Sequence, residues 1–139
     1  MQKLNIAILS YRSAPFGGGQ GIYVHDISKA LSLMGHQVDV ISGPPYPNLS
    51  EKINLIKLPG LNLFQTFSFK ERLKIFIKKK NKRAIDFYEF FSTFFGGFPE
   101  MRTFGERAKE FLDENHHYDI VIDNQSVSYG MLKIQKKFP

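Results

Sequence analysis

A glycine-rich loop separates the first apolar segment of the chain from the first segment with helical periodicity. Four of the five residues in 17–21 are glycine, and glycine lets a backbone turn tightly and approach a ligand closely. The start of a helix adds unpaired N–H groups and a partial positive charge. The pattern therefore predicts a site for phosphate or diphosphate, although a tight strand-to-helix turn without a ligand is the alternative interpretation.

Two familiar nucleotide-binding motifs do not fit this loop. A P-loop requires a lysine followed by serine or threonine after its last glycine, and no lysine follows here. The dinucleotide pattern Gly-x-Gly-x-x-Gly needs a third glycine where this chain has Ile22 or Val24, depending on where the pattern starts. The second predicted strand ends at Ser42, without the acid that would hold an adenine ribose. These departures argue against an NAD-dependent enzyme.

A second polar cluster follows the last apolar segment that is predicted to be a strand. Residues 118–123 read Tyr-Asp-Ile-Val-Ile-Asp, and Asn124, Gln125 and Ser126 come directly after them. Asp123 is a general base by residue type, but a carboxylate that forms hydrogen bonds at a strand end is the simpler interpretation. The cluster matters for function if the fold brings it close to the glycine-rich loop.

The spacing of apolar residues indicates the elements that hold these two regions. Short apolar runs predict strands, and a 3.6-residue period predicts helices. The predicted strands are 4–9, 37–42, 53–58 and 118–123, and the predicted helices are 22–34, 100–115 and 130–137. This alternation favours an open, doubly wound parallel α/β sheet of the Rossmann-like type.

The predicted topology places both polar regions at one edge of the sheet. Ligands of such sheets bind beyond the carboxyl ends of the strands. A strand order of 3-2-1-4 makes the first and fourth strands neighbours, so the two regions should face one crevice. The face of the first helix that packs on the sheet is predicted to carry Tyr23, Ile27, Ala30, Leu31 and Met34.

The segment 61–99 departs from this alternation in its charge. Residues 70–83 hold eight basic residues and one acid, and the whole chain has a net charge of +6. Such a run attracts anionic lipid head groups, phosphorylated substrates or nucleic acid, or it is simply a solvated helix. No nucleic-acid-binding motif accompanies it, so we expect no nucleic-acid partner.

The same segment contains ten of the fourteen phenylalanines of the chain. Those that recur at helical spacing are Phe87, Phe90, Phe91, Phe94, Phe95 and Phe98. We expect a helix that packs this aromatic face on the body of the domain. The alternative is an exposed apolar surface beside the basic run, which is typical of peripheral contact with an anionic membrane or of a lipid-linked acceptor.

Composition excludes several other classes of protein. Cysteine is absent, which excludes disulfide scaffolds, thiolate metal sites and catalysis by a cysteine. No run reaches about 18 apolar residues and the N-terminal run is too short for a signal peptide, so we expect a cytoplasmic protein. The adjacent His116 and His117 are expected in a surface turn, and no metal site is predicted.

Five stretches of the sequence point in one further direction. They are Ile-Leu-Ser-Tyr-Arg-Ser at 8–13, Gly-Gly-Gln-Gly-Ile-Tyr-Val at 18–24, Met-Gly-His-Gln-Val-Asp-Val-Ile-Ser-Gly-Pro-Pro-Tyr-Pro at 34–47, Gly-Gly-Phe-Pro-Glu at 96–100 and Tyr-Asp-Ile-Val-Ile-Asp-Asn-Gln-Ser at 118–126. Together they resemble family-4 glycosyltransferases of the GT-B fold. The resemblance implies two Rossmann-like domains that face a cleft, of which this chain is the N-terminal, acceptor-side domain.

The resemblance also implies an activity, which is retaining transfer from a nucleotide sugar to a sugar, lipid-linked or small-molecule acceptor, without a metal or other cofactor. By position, it assigns the donor diphosphate to Gly18, Gly19, Gln20 and Gly21, and the acceptor to Arg12, Tyr46, Asn124 and Gln125. The donor domain and the catalytic residues would lie outside this chain. We therefore expect the 139 residues to be inactive alone.

Two other functions stay open at this point. One is a non-catalytic Rossmann-like module that docks on a partner protein or an anionic membrane, and the other is a different nucleotide-dependent enzyme on the same fold. Glu106 and Glu114 have the spacing of two donor-domain glutamates of the family. They fall on a predicted scaffold helix, so we assign them no role.

Overall fold

The computed structural model describes residues 2–15, 18–124 and 129–136. Four parallel strands form one sheet in the order β3-β2-β1-β4, as predicted. The strands are β1 (Asn5–Ser10), β2 (Gln37–Ser42), β3 (Asn54–Lys57) and β4 (Ile120–Asp123). The helices are α1 (Gly19–Leu33), α2 (Phe69–Lys78), α3 (Ala84–Ser92), α4 (Pro99–Glu114) and α5 (Tyr129–Gln135), with short 3₁₀ turns at Leu63–Gln65 and Thr93–Phe95. The predicted Rossmann-like α/β class is confirmed.

The sheet is covered on both faces, which explains why its central strands read as continuous apolar runs. On one face, Ala7, Leu9 and Ile41 pack with Phe104 and Leu112 of α4. On the other face lies a second core cluster, whose buried members are Ile6, Ile8, Val24, Val38, Val40 and Ile53. Because successive side chains of a strand point to opposite faces, β1 supplies both clusters from consecutive residues.

The face of α1 that meets the sheet agrees only in part with the predicted one, because Ile27 and Leu31 pack against the second core cluster as predicted. Tyr23 and Met34 are 53% and 55% exposed, whereas Gly21, Val24 and Ser28 are buried. The apolar pattern was a poor guide because two of the three buried residues are small, and small residues let the helix approach the sheet closely. Large apolar residues such as Tyr23 remain on the outer side.

The aromatic face predicted in the segment 61–99 is also largely wrong. Of the six phenylalanines at helical spacing only Phe90 is buried, and Phe95 is 89% exposed. The helix ends at Ser92 because a 3₁₀ turn and Gly96, in the left-handed region at φ 72°, interrupt it before α4 begins. Phe90 stacks on Phe76 of α2 with ring centroids 4.5 Å apart, so the segment builds its own small core instead.

A buried ionic cluster attaches this segment to α4. Arg107 contacts Asp86 at 2.7 Å and Glu89 at 2.8 Å, and Lys79 contacts Asp86 at 2.5 Å. Burial alone would raise the pKa of Asp86, but hydrogen bonds from Lys79 and the Arg83 amide, with the charges of Lys79 and Arg107, hold that pKa below its usual range. The cluster therefore keeps α3 fixed against α4.

Candidate functional site

The carboxyl ends of β1 and β4 meet at one edge of the sheet. Leu9 of β1 is in register with Asp123 of β4, and the Asn124 amide donates to the Leu9 carbonyl at 2.9 Å. Asn124 therefore lies beside the start of the loop that leads to the glycines. This adjacency of the two polar regions agrees with the predicted strand order.

Backbone hydrogen bonds hold the loop that follows β1 against the loop that follows β2. The Ser13 amide donates to the Pro45 carbonyl at 2.9 Å, and the Gly43 amide donates to the Ser10 carbonyl at 3.0 Å. The hydroxyl groups of Ser10 and Ser13 also share a short hydrogen bond, and both residues are buried. These bonds join the loops after β1 and β2, and they hold the loop segment 10–13 to which Arg12 belongs.

The start of α1 is open on its outer side and tightly packed on its inner side. Gly18 is the N-cap at φ 92° and ψ 151°, a conformation that favours glycine, and no described side chain caps the helix. A Cβ at Gly18 or Gly19 would meet no described atom within 4 Å, whereas at Gly21 it would lie 2.3 Å from the Ala14 carbonyl oxygen. The outer side thus has space for an anion, and Gly21 has a packing role of its own.

A cavity of about 250 Å³ lies at this edge of the sheet, and we call it the edge cavity. Its walls come from the loops after three of the strands and from the start of α4. The lining residues are Tyr11, Arg12, Pro44, Asn62, Phe64, Phe98, Glu100 and Met101. Clefts at the carboxyl edge of a parallel sheet are where α/β proteins bind ligands, so the edge cavity is the strongest candidate site.

Charged groups and aromatic rings face each other inside the edge cavity. The Arg12 guanidinium lies over the Phe64 ring, 4.2 Å from its centroid. The centroids of the Phe64 and Phe98 rings are 5.6 Å apart. The Phe64 amide donates to Glu100 Oε1 at 2.9 Å. Burial raises the pKa of Glu100 and the charge of Glu89 adds to the effect, while the Phe64 amide and Arg12 oppose it. The cavity therefore offers both hydrogen-bond donors and acceptors beside apolar ring faces.

Sequence reasoning identified one member of this cavity and missed the others. Arg12 was predicted, whereas Glu100 and Phe64 were not. The Gly-Gly-Phe-Pro-Glu stretch did contain a signal, because proline at the first turn of a helix marks the start of α4 and thereby the position of Glu100. No pattern in the sequence indicates that Phe64 would reach the same cavity.

Two other predicted acceptor residues, Tyr46 and Asn124, are not among the residues that line the edge cavity. The Tyr46 hydroxyl donates to the Leu58 carbonyl at 3.0 Å, so it ties its loop to the end of β3. Burial raises the pKa of this phenol, against the opposing charge of Arg107. Asn124 is 4% exposed, and its Nδ2 atom has no hydrogen-bond partner among the described residues. Gln125 lies outside the described residues.

The remaining titratable residues considered above have no clustered arrangement. Within the described ranges, no three His, Asp or Glu side chains group as metal ligands would. Glu106 forms a surface ion pair with Lys133 at 2.6 Å. Both His116 and His117 are exposed at the opposite end of β4 from Asn124, as a surface turn requires.

The basic helix and the phenylalanines form an exposed surface beside this region. Every residue of α2 is at least partly exposed, and its outer row carries Lys70, Lys74 and Lys78. Phe67 and Phe69 are 86% and 57% exposed. In the part of the chain that the structure describes, no helix is long and apolar enough to cross a membrane.

Comparison with known proteins gives one informative match. No model of a protein family matches the chain. A search of curated proteins finds an MMP alpha-(1->4)-mannosyltransferase of Mycolicibacterium hassiacum, which is 40% identical over 135 residues. The match covers 96% of this chain but 32% of the relative, so the chain spans about a third of the relative's length. Over nearly all of its residues, the chain is therefore similar to one part of a glycosyltransferase.

Proposed function

We propose that this chain is the N-terminal, acceptor-side domain of a retaining glycosyltransferase of family 4 and the GT-B fold. The reaction would transfer mannose from a nucleoside-diphosphate donor to a saccharide acceptor. The observation that carries the proposal is the 40% identity to a mannosyltransferase over 135 residues. The position of the edge cavity supports it, because a sheet of this topology binds its ligands there.

The start of α1 is suited to the diphosphate of the donor. A leaving nucleoside diphosphate gains negative charge as the glycosidic bond breaks, and fixed backbone N–H groups stabilise such charge. No described atom fills the space beside Gly18 and Gly19, and the first turn of the helix carries no acidic residue that would repel an anion. In this proposal Gln20 lies at the same edge, and Gly21 keeps the helix start in place.

The edge cavity is suited to the acceptor sugar. Aromatic rings accept the apolar faces of pyranoses, and ionised side chains form the stronger hydrogen bonds with hydroxyl groups. Phe64 and Phe98 supply the rings, and Arg12 and Glu100 supply the charges. We assign no catalytic residue to this chain and expect no metal requirement.

The transfer reaction is tested on the chain expressed together with the in-frame coding sequence that follows it. We expect transfer from a nucleoside-diphosphate mannose to a methyl α-mannoside, without added divalent metal and with retention at the anomeric carbon. The same nucleoside diphosphate carrying glucose in place of mannose is the control for donor specificity. Ordinary turnover by the 139 residues alone, or transfer by the longer protein with inversion at the anomeric carbon, would contradict the proposal.

A second property, peripheral contact with an anionic membrane, is favoured by the lysine row of α2 and by the exposed Phe67 and Phe69 at its start. Each lysine near such a surface contributes about 1 kcal/mol. Replacing Lys70, Lys74 and Lys78 with glutamine should therefore weaken binding to anionic vesicles by about a hundredfold in co-sedimentation. The matched control replaces the exposed Lys3, Lys29 and Lys52. Equal binding of the unmodified chain to neutral and anionic vesicles would refute this contact.

A further inference from the structure

Two further cavities continue from the edge cavity along α4. The first, of about 460 Å³, shares Phe98 and Met101 with the edge cavity. The other, of about 370 Å³, shares Tyr88, Arg102 and Tyr129 with the 460 Å³ cavity. We call the two added cavities the distal groove. The three cavities are therefore adjacent, and an extended ligand that crosses the shared side chains would contact all of them.

We propose that the distal groove binds the distal units of an extended saccharide acceptor, with a subsite at Tyr88 and Arg102. The inference rests on the proposed function, since it takes the edge cavity as the site of the terminal acceptor sugar. Size supports it, because small-molecule sites usually occupy about 300–1,000 Å³. The edge cavity, at about 250 Å³, is smaller than this range, and the distal groove supplies the missing volume.

The lining of the distal groove favours a saccharide over an acyl chain. Arg102 Nη1 donates to the Tyr88 hydroxyl at 3.3 Å, and the ion pair between Glu106 and Lys133 borders the far end. Tyr88 and Tyr129 are 46% and 85% exposed, so their rings can receive the face of a pyranose. An acyl chain would remove these charged groups from water and leave their remaining donors and acceptors without partners, which is costly, whereas sugar hydroxyl groups can form hydrogen bonds with them.

Binding of oligosaccharides of increasing length to the 139-residue chain tests the proposal. The probes are methyl glycosides of α-(1→4)-linked mannose with one to four units, measured by calorimetry on protein shown to be folded by circular dichroism. We expect the Kd to fall at least tenfold between one and three units. In a Tyr88→Ala/Arg102→Ala variant this gain should disappear, so that the affinity no longer depends on length.

Two further variants separate the subsites. Arg12→Ala should weaken all lengths by a similar factor, because Arg12 lines the edge cavity, and Lys29→Ala on the exposed side of α1 should change none. No dependence on length, no binding by the folded chain, or a gain that survives in the double variant would overturn the proposal. Displacement of the trimer by lauric acid would also overturn it, in favour of an acyl chain.

The outcome is separable from that of the proposed function. If the longer protein fails to transfer mannose while the affinity rises with length, the groove stands and the enzyme assignment falls. If transfer occurs but length has no effect, the enzyme assignment stands and the groove is wrong.

Discussion

Replacing Gly21 with alanine should destabilise the chain by about 3 kcal/mol, although alanine is usually the better helix former. The new methyl group would lie 2.3 Å from the Ala14 carbonyl oxygen, so α1 or the loop after β1 must move. Overpacking of this kind costs about 1–3 kcal/mol, and here the obstacle is backbone rather than a flexible side chain. The loss should lower the Tm by roughly 10 °C, measured by circular dichroism.

Gly19→Ala is the matched control on the same helix. No described atom lies within 4 Å of a Cβ at this position, and its backbone is helical. The substitution should leave stability unchanged or raise it by up to about 1 kcal/mol, since alanine restricts the unfolded chain. If the two variants unfold at the same temperature, the close contact between Gly21 and Ala14 does not hold the helix start in place.

Replacing Arg107 with methionine should cost about 3–5 kcal/mol in the free energy of unfolding. The side chain is 6% exposed and contacts two carboxylates that are at most 1% exposed, Asp86 and Glu89. Asp86 keeps Lys79 as a partner, whereas the remaining partners of Glu89 among the described residues are the uncharged Leu61 amide and Thr103 hydroxyl. Removing one partner of a buried ion pair leaves an uncompensated charge, which explains the size of the loss.

The control for this loss is Arg83→Met, which removes the same side chain from an exposed ion pair with Glu110. Such pairs contribute at most about 1 kcal/mol. Urea denaturation of both variants compares the two sites directly. Similar losses would mean that the buried cluster is no more important for stability than the surface pair.

The two central strands, β1 and β2, were predictable because they are buried on both faces. A strand covered by helices on each side is mostly apolar, so β1 and β2 stand out as short apolar runs between loops, with the buried Asp39 as the exception in β2. The strand order followed from the predicted fold class, because doubly wound sheets of this type commonly have the order 3-2-1-4. The neighbourhood of Asn124 and the loop after β1 could therefore be deduced without coordinates.

The inner face of α1 and the edge cavity were less accessible to sequence reasoning. The search for helical periodicity relies on large apolar residues, whereas α1 approaches the sheet closely through the small residues Gly21 and Ser28. In the edge cavity Phe64 contacts Glu100, which lies 36 positions later in the sequence, and no local pattern predicts such a contact. Asp86 and Glu89 of α3 are acidic residues, which usually lie on the surface. Their burial depends on ion pairs with Arg107, which is distant in the sequence and which no local pattern indicates.

The hydrogen bonds between the loops after β1 and β2 give the edge cavity one rigid wall. Arg12 and Pro44 cannot separate without breaking the bond from Ser13 to Pro45. The aromatic part of the wall is formed by Phe64 and Phe98, which are 41% and 58% exposed. Accommodation of acceptors of different shape therefore falls to the aromatic side, while the side that carries Arg12 sets a fixed reference for their orientation.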